Sequence, residues 1–165
     1  MKKKLIMSLG IVCVLVIGFF IGSHSPKEEQ KLNSSGAIVK DGIIPGYTAE
    51  QIQEMMQREA DRTTFSFEVN ARPVFADGDA EGALRIANPP YNVYAIQVEI
   101  KLDDNQKTVF KTVKLQPNQY IEKAKLFEHL EAGEYAATAT ISAYDVETDE
   151  FVGTSSAKLI IKVEN

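Results

Sequence analysis

The nonapeptide YAIQVEIKL at residues 94–102 alternates without a fault: Tyr94, Ile96, Val98, Ile100 and Leu102 share one parity, and Ala95, Gln97, Glu99 and Lys101 the other. Successive side chains of an extended strand leave opposite faces, so this segment needs one dry face and one wet face. A helix would scatter the same apolar side chains around its axis. The chain is thereby committed to antiparallel sheet with one face covered. The same period runs through Phe65, Phe67 and Val69, through Leu84 and Ile86 around Arg85, and through Ala157, Leu159, Ile161 and Val163. DDNQ at residues 103–106 supplies turn chemistry into TVFKTVKL, whose Lys107, Lys111 and Lys114 suit a protected edge strand. These patterns predict seven strands, near residues 65–71, 81–88, 93–102, 107–115, 120–126, 134–144 and 151–163.

The stretch LEAGEYAATATISAYD at residues 130–145 adds an architectural signal. Leu130 reads as an apolar plug, and Gly133 as a site of permissive backbone. Tyr135 opens a strand whose Ala137, Ala139, Ile141 and Ala143 face one way, with Thr138, Thr140 and Ser142 facing the other. This order resembles the tyrosine corner of immunoglobulin-like and fibronectin type III sandwiches, in which an early tyrosine of the sixth strand bonds back to upstream backbone. An ordinary glycine-containing turn before an antiparallel strand is the competing reading. Position 137 is alanine where an antibody domain has its second cysteine, and the chain has no tryptophan. Tyr94 or Ile96 is expected to fill that core volume.

The fold class expected is therefore mainly β: a seven-stranded antiparallel immunoglobulin-like sandwich over residues 63–165, preceded by one transmembrane helix and one short amphipathic helix. KKK followed by LIMSLGIVCVLVIGFFIG places 18 uncharged residues at 5–22, about 27 Å of helix and enough for a hydrocarbon core. The lysines favour the cytoplasmic side, so residues 1–22 are expected to anchor the chain with its body outside. Cleavage after Ser23-His24-Ser25 is opposed by Pro26, and lipidation at Cys13 by the bulky Ile11 and Val12 ahead of it. Residues 23–47 read as a flexible spacer whose IIPGY end packs on the neighbouring segment. Residues 48–62 read as a helix with a Thr48–Gln51 capping box and an apolar stripe of Ile52, Met55 and Met56.

Charge narrows the partners. Beyond residue 22 there are 15 basic and 23 acidic residues, a net of −8, so the body is repelled by nucleic-acid phosphates. The one cysteine, Cys13, lies in the apolar run, which leaves no intrachain disulfide and no thiolate metal site. His24 and His129 have no ligand spacing around them, and neither a nucleophile elbow nor a phosphate loop is present. DGDAEG puts Asp77, Asp79 and Glu81 at alternate positions, a weak calcium candidate beside the reading as a turn. The acids of DVETDE (Asp145, Glu147, Asp149 and Glu150) read as a solvated turn. Tyr91 and Tyr120, with NPP at 88–90, are candidates for contact with a peptide or glycan, and packing is the alternative role.

Residues 45–165, through AEGALRIANPPYNVYAIQVEIKLDD, LQPNQYIEKAKL and LEAGEYAATATISAYD, resemble a family of small, largely uncharacterised membrane-anchored surface proteins of Gram-positive bacteria. The resemblance implies a cell-membrane location, a sandwich fold and, for some members, association with mobile elements; it carries no catalytic residues. The expected function is a non-enzymatic binding or scaffold protein without cofactor, whose partner is an envelope protein or glycan. The alternatives are an accessory subunit of a conjugation or secretion machine and an extracytoplasmic hydrolase or glycan-active enzyme.

Overall fold

A computed structural model describes residues 31–32, 36–58 and 63–165. Its elements in chain order are β1 (Lys31–Leu32), β2 (Ile38–Asp41), α1 (Ala49–Gln57), β3 (Val74–Phe75), β4 (Ile86–Asn88), β5 (Tyr94–Leu102), β6 (Thr108–Lys111), β7 (Gln119–Ile121), β8 (Gly133–Asp145) and β9 (Phe151–Val163). They form a mainly β body of two sheets, ordered β1-β2-β7-β4 and β3-β9-β8-β5-β6. The expected apolar anchor at residues 5–22 lies outside the described residues. Among the described residues no helix is long and apolar enough to cross a membrane.

The larger sheet realises the alternation. Ile96, Val98, Ile100 and Leu102 of β5 stand opposite Ala143, Ile141, Ala139 and Ala137 of β8, and Ala137 stands opposite Leu159 of β9. A bulky residue, an alanine and a second bulky residue thus sit side by side across three strands. The opposing sheet fills the trough over the alanines: Ile86, Ile121 and Val39, with Leu84 just ahead of β4, join the same buried cluster, as does Phe75 from β3 at the edge of the larger sheet.

The smaller sheet departs from the seven expected strands. Residues 65–71 make one bridge, Glu68 to Ala87, in place of a strand. Beyond that bridge the Asn70 amide donates to the Leu84 carbonyl, and a side chain takes the groups of Ser66: Asn92 accepts from its amide at 2.9 Å and donates to its carbonyl. The expected strand 81–88 begins only at Ile86, because the Leu84 amide turns back to the Gly82 carbonyl and Arg85 has φ +46°. The sandwich is also not purely antiparallel, since β3 runs parallel to β9.

The largest correction concerns residues 36–47, expected to be spacer. β2 pairs with β7, Lys40 opposite Tyr120 and Asp41 opposite Gln119, and the Gly42 amide donates to the Asn118 carbonyl at 2.7 Å. Val39 enters the central core. Ile44 packs with Ala87 and Tyr120, with Tyr47 against them, on the other face of β4 and β7. Turns at Gly36, Gly42 and Gly46, all at positive φ, break the period and disguise the segment as linker. The capping box of α1 forms as expected: Gln51 Oε1 accepts from the Thr48 amide at 2.9 Å, and the Thr48 hydroxyl accepts from the Gln51 amide. No residue of α1 is buried.

Ile44→Ala is expected to cost about 2–4 kcal/mol in urea-induced unfolding, the range for truncating a buried aliphatic side chain. A spacer residue would register no loss.

Candidate functional site

The tyrosine corner is present. Tyr135 Oη donates to the Glu131 carbonyl at 2.8 Å, and Leu130 is buried in the core beneath it. Gly133 does not act as expected, because its φ is not positive and a Cβ there would make only ordinary contact with the Tyr135 ring. The close approaches lie instead in DGDAEG. A Cβ on Gly78 would collide with the Leu130 carbonyl and the His129 ring, and one on Gly82 with the Phe75 ring.

That packing disperses the calcium candidates. Asp77 Oδ1 accepts from the Asp79 amide at 2.9 Å, an Asx turn. Asp79 Oδ2 pairs with His129 Nδ1 at 3.0 Å, and Glu81 lies in a separate groove with Ile38, Lys40, Glu122 and Lys123. Among the described residues no three His, Cys, Asp or Glu side chains gather as metal ligands would.

The tyrosine candidates are also occupied. Tyr120 is 8% exposed and lies under residues 43–47, with Lys40 Nζ 5.8 Å from its ring centre. Tyr91 is half-buried and carries the Arg58 guanidinium 4.6 Å above its ring. Tyr47 is held protonated, with its pKa pushed up to about 12 by burial and then by its hydrogen bond to the Glu68 carboxylate. NPPYN is an internal clamp: Asn88 Nδ2 donates to the carbonyls of Tyr94 and Leu115, each at 2.9 Å, while Asn92 Nδ2 donates to Asn88 Oδ1 at 2.6 Å. Buried amides so satisfied fix a loop in one conformation. NPPYN carries the turn residues that announce a loop, but nothing in the sequence marks its amides as buried.

Among the exposed large apolar side chains, Ile38, Met56, Val74 and Phe127 lie apart in sequence, whereas three fall together at the β8–β9 hairpin tip. Phe151 is 61% exposed, and Val146 and Val152 are each 46% exposed, in a turn that also carries Glu147, Asp149 and Glu150. The tip is ordered by its own bonds. Asp145 Oδ1 accepts from the amides of Glu147 and Thr148 at 2.9 and 3.0 Å. The Tyr144 ring meets Phe151 edge-on at 5.9 Å, and Lys114 Nζ sits 3.7 Å from the Tyr144 ring centre while bonding Asp149. Apolar side chains on a preorganised tip are a contact surface in chemical kind, since little ordering entropy is left to lose on binding. The signal in the sequence is the apolar pair Phe151-Val152 directly after an acidic turn, where solvent-facing hairpin residues are normally polar.

A second feature lies on the wet face of the larger sheet. Lys158 Nζ reaches across β8 to Asp103 Oδ2 at 2.9 Å and to Thr138 Oγ1 at 2.8 Å, and the Thr138 hydroxyl donates to Asp103 Oδ1. The Thr138 hydroxyl first, and then the Lys158 ammonium, hold the Asp103 carboxyl below its ordinary 3.8. No family model, curated protein or solved structure matches the chain.

A carboxylate lowered in the folded state stabilises above its unfolded pKa and loses that contribution as pH falls through the folded value. The melting-temperature gap between the natural chain and Asp103→Asn is therefore expected to be open at pH 7 and to close below pH 3.8. A gap unchanged down to pH 2 would remove Asp103 from this role.

Proposed function

We propose that this chain is a membrane-tethered extracytoplasmic binding or scaffold module with an immunoglobulin-like fold and no catalytic role. The observation that carries the reading is the ordered, apolar hairpin tip at Val146, Phe151 and Val152, presented at one end of a rigid sheet. A surface of that kind recognises by contact and needs no reacting group.

The immunoglobulin-like assignment is supported by strand order. The Glu68 bridge, β4 and β7 lie side by side, and β9, β8, β5 and β6 lie side by side in the other sheet. That is the order of the first, second and fifth strands against the seventh, sixth and third of such a domain, with one extra strand beside the third. The position beside the fifth strand is filled by β2, which comes from the N-terminal side of the domain. The tyrosine corner supports the same reading. The membrane tether is supported by residues 5–22, and it is shorter than the sequence pattern implied. Only residues 23–30 separate the apolar run from β1, and a chain of that length fully extended reaches at most about 29 Å.

Two measurements on intact cells test this. Protease added to protoplasts should remove the body, and a photoreactive residue at position 151 should yield a crosslinked product of higher mass that the same residue at position 140 does not. Full protection from protease, or equal products at 151 and 140, would refute the tethered-module reading.

A further inference from the structure

We propose that the free edge of β9 pairs two copies of this chain antiparallel, joining their larger sheets into one. The proposal deepens the reading above by naming a second copy as the partner of the same hairpin, and it rests on that reading. β3 covers only the end of β9: the amides of Ile160, Lys162 and Glu164 donate to the carbonyls of Ala71, Pro73 and Phe75 at 2.9, 3.0 and 3.0 Å. Alternate residues of a strand present their N–H and C=O to the same side. Those of Thr154, Ser156 and Lys158 therefore point outward as well, into space that β3 does not reach.

An edge of this length is normally blunted by lysines, prolines or shortness. The opposite edge follows that rule, since β6 is four residues long and Lys107, Lys111 and Lys114 lie on or beside it. The edge of β9 does not. In the part that β3 leaves open the one cation, Lys158, is drawn away from the edge and across β8 by Asp103 and Thr138, and Lys162 lies in the covered part. The remaining side chains of residues 153–157, Gly-Thr-Ser-Ser-Ala, are small and uncharged.

The stretch is self-complementary about Ser155. With a two-fold axis there, Thr154 of each copy faces Ser156 of the other in hydrogen-bonded pairs, Gly153 faces Ala157, and the two Ser155 residues form a close pair with Cα atoms about 4.5 Å apart. The acidic tip with Glu147, Asp149 and Glu150 comes alongside residues 71–72, where Arg72 is exposed and has no ion pair among the described residues. Opposite charges meet where the two hairpins end, so a second copy satisfies backbone, side chains and charge together.

The test uses the purified full chain in detergent, with Cys13→Ser removing the native thiol. Ser155→Cys is expected to form a disulfide dimer on mild oxidation at least tenfold above Thr140→Cys, which places a thiol on the wet face of β8. Adding Ser156→Pro should return the Ser155→Cys dimer to the Thr140→Cys level, because it deletes an outward amide that the single copy leaves unbonded. Thr154→Pro is a second edge variant with the same expectation, and far-UV circular dichroism verifies that each remains folded. Ser155→Cys at the Thr140→Cys level, or dimer insensitive to both folded proline variants, would overturn the pairing. Capture of a different protein at position 151 together with no Ser155→Cys dimer would overturn the second copy and leave the tip as a contact surface. No product at either position would remove both.

Discussion

The structure depends on one trough. Across β5, β8 and β9 the inner face has one row that runs bulky, small, bulky, Leu102, Ala137 and Leu159, and beside it the row Ile100, Ala139 and Ala157 is small on both β8 and β9. Alanine on the central strand leaves the backbone of β8 close to whatever lies above it. An apolar face of that shape is stable only when a second layer presses side chains into it, because apolar surface left wet costs about 25 cal/mol per Å². Ile86, Ile121 and Val39, with Leu84 just ahead of β4, are that layer. The smaller sheet exists to carry them.

That demand explains the N-terminal segment. β4 and β7 have three residues each, and all six are buried. Strands this short do not make a lid alone. β2 widens the sheet and brings Val39 inward, while residues 43–47 fold over the outer side and cover Ala87 and Tyr120. The amide of Asn92 then bonds the Ser66 backbone of the irregular stretch 65–71, and the buried amide of Asn88 ties the carbonyls of Tyr94 and Leu115.

The same physics sets what can be read from sequence. β5, β8 and β9 are dry on one face only, so period-two alternation reveals them almost to the residue. β4 and β7 are dry on both faces, so Ile86-Ala87-Asn88 and Gln119-Tyr120-Ile121 show no alternation and are visible only as vague strands. Tyr120 accordingly has the sequence context of a contact residue, and it is packing. Residues 36–47 are hidden by three glycine turns and by splitting their apolar side chains between two faces. Tyr135 and Leu130 are legible because the corner is local, four residues from donor to acceptor. Asp77, Asp79 and Glu81 resemble ligands because spacing is one-dimensional; in three dimensions Gly78 docks their loop on His129 and turns the carboxylates apart. The hairpin tip reads as a solvated acidic turn, since the apolar residues beside its acids are conspicuous only once their exposure is known.

The arrangement separates attachment from contact. The N-terminal segment enters through the smaller sheet, whereas the exposed tip and the free edge of β9 belong to the larger one. A module tethered through residues 36–47 would thus keep its contact surface clear of its own linker. All of this requires that β2 be part of the cooperative core. Native-state hydrogen exchange of the Gly42 amide, bonded to the Asn118 carbonyl, measures it directly. Protection equal to that of the β8 amides, lost only on global unfolding, is the expected result. Exchange at the rate of an open chain, with β8 still protected, would contradict the account.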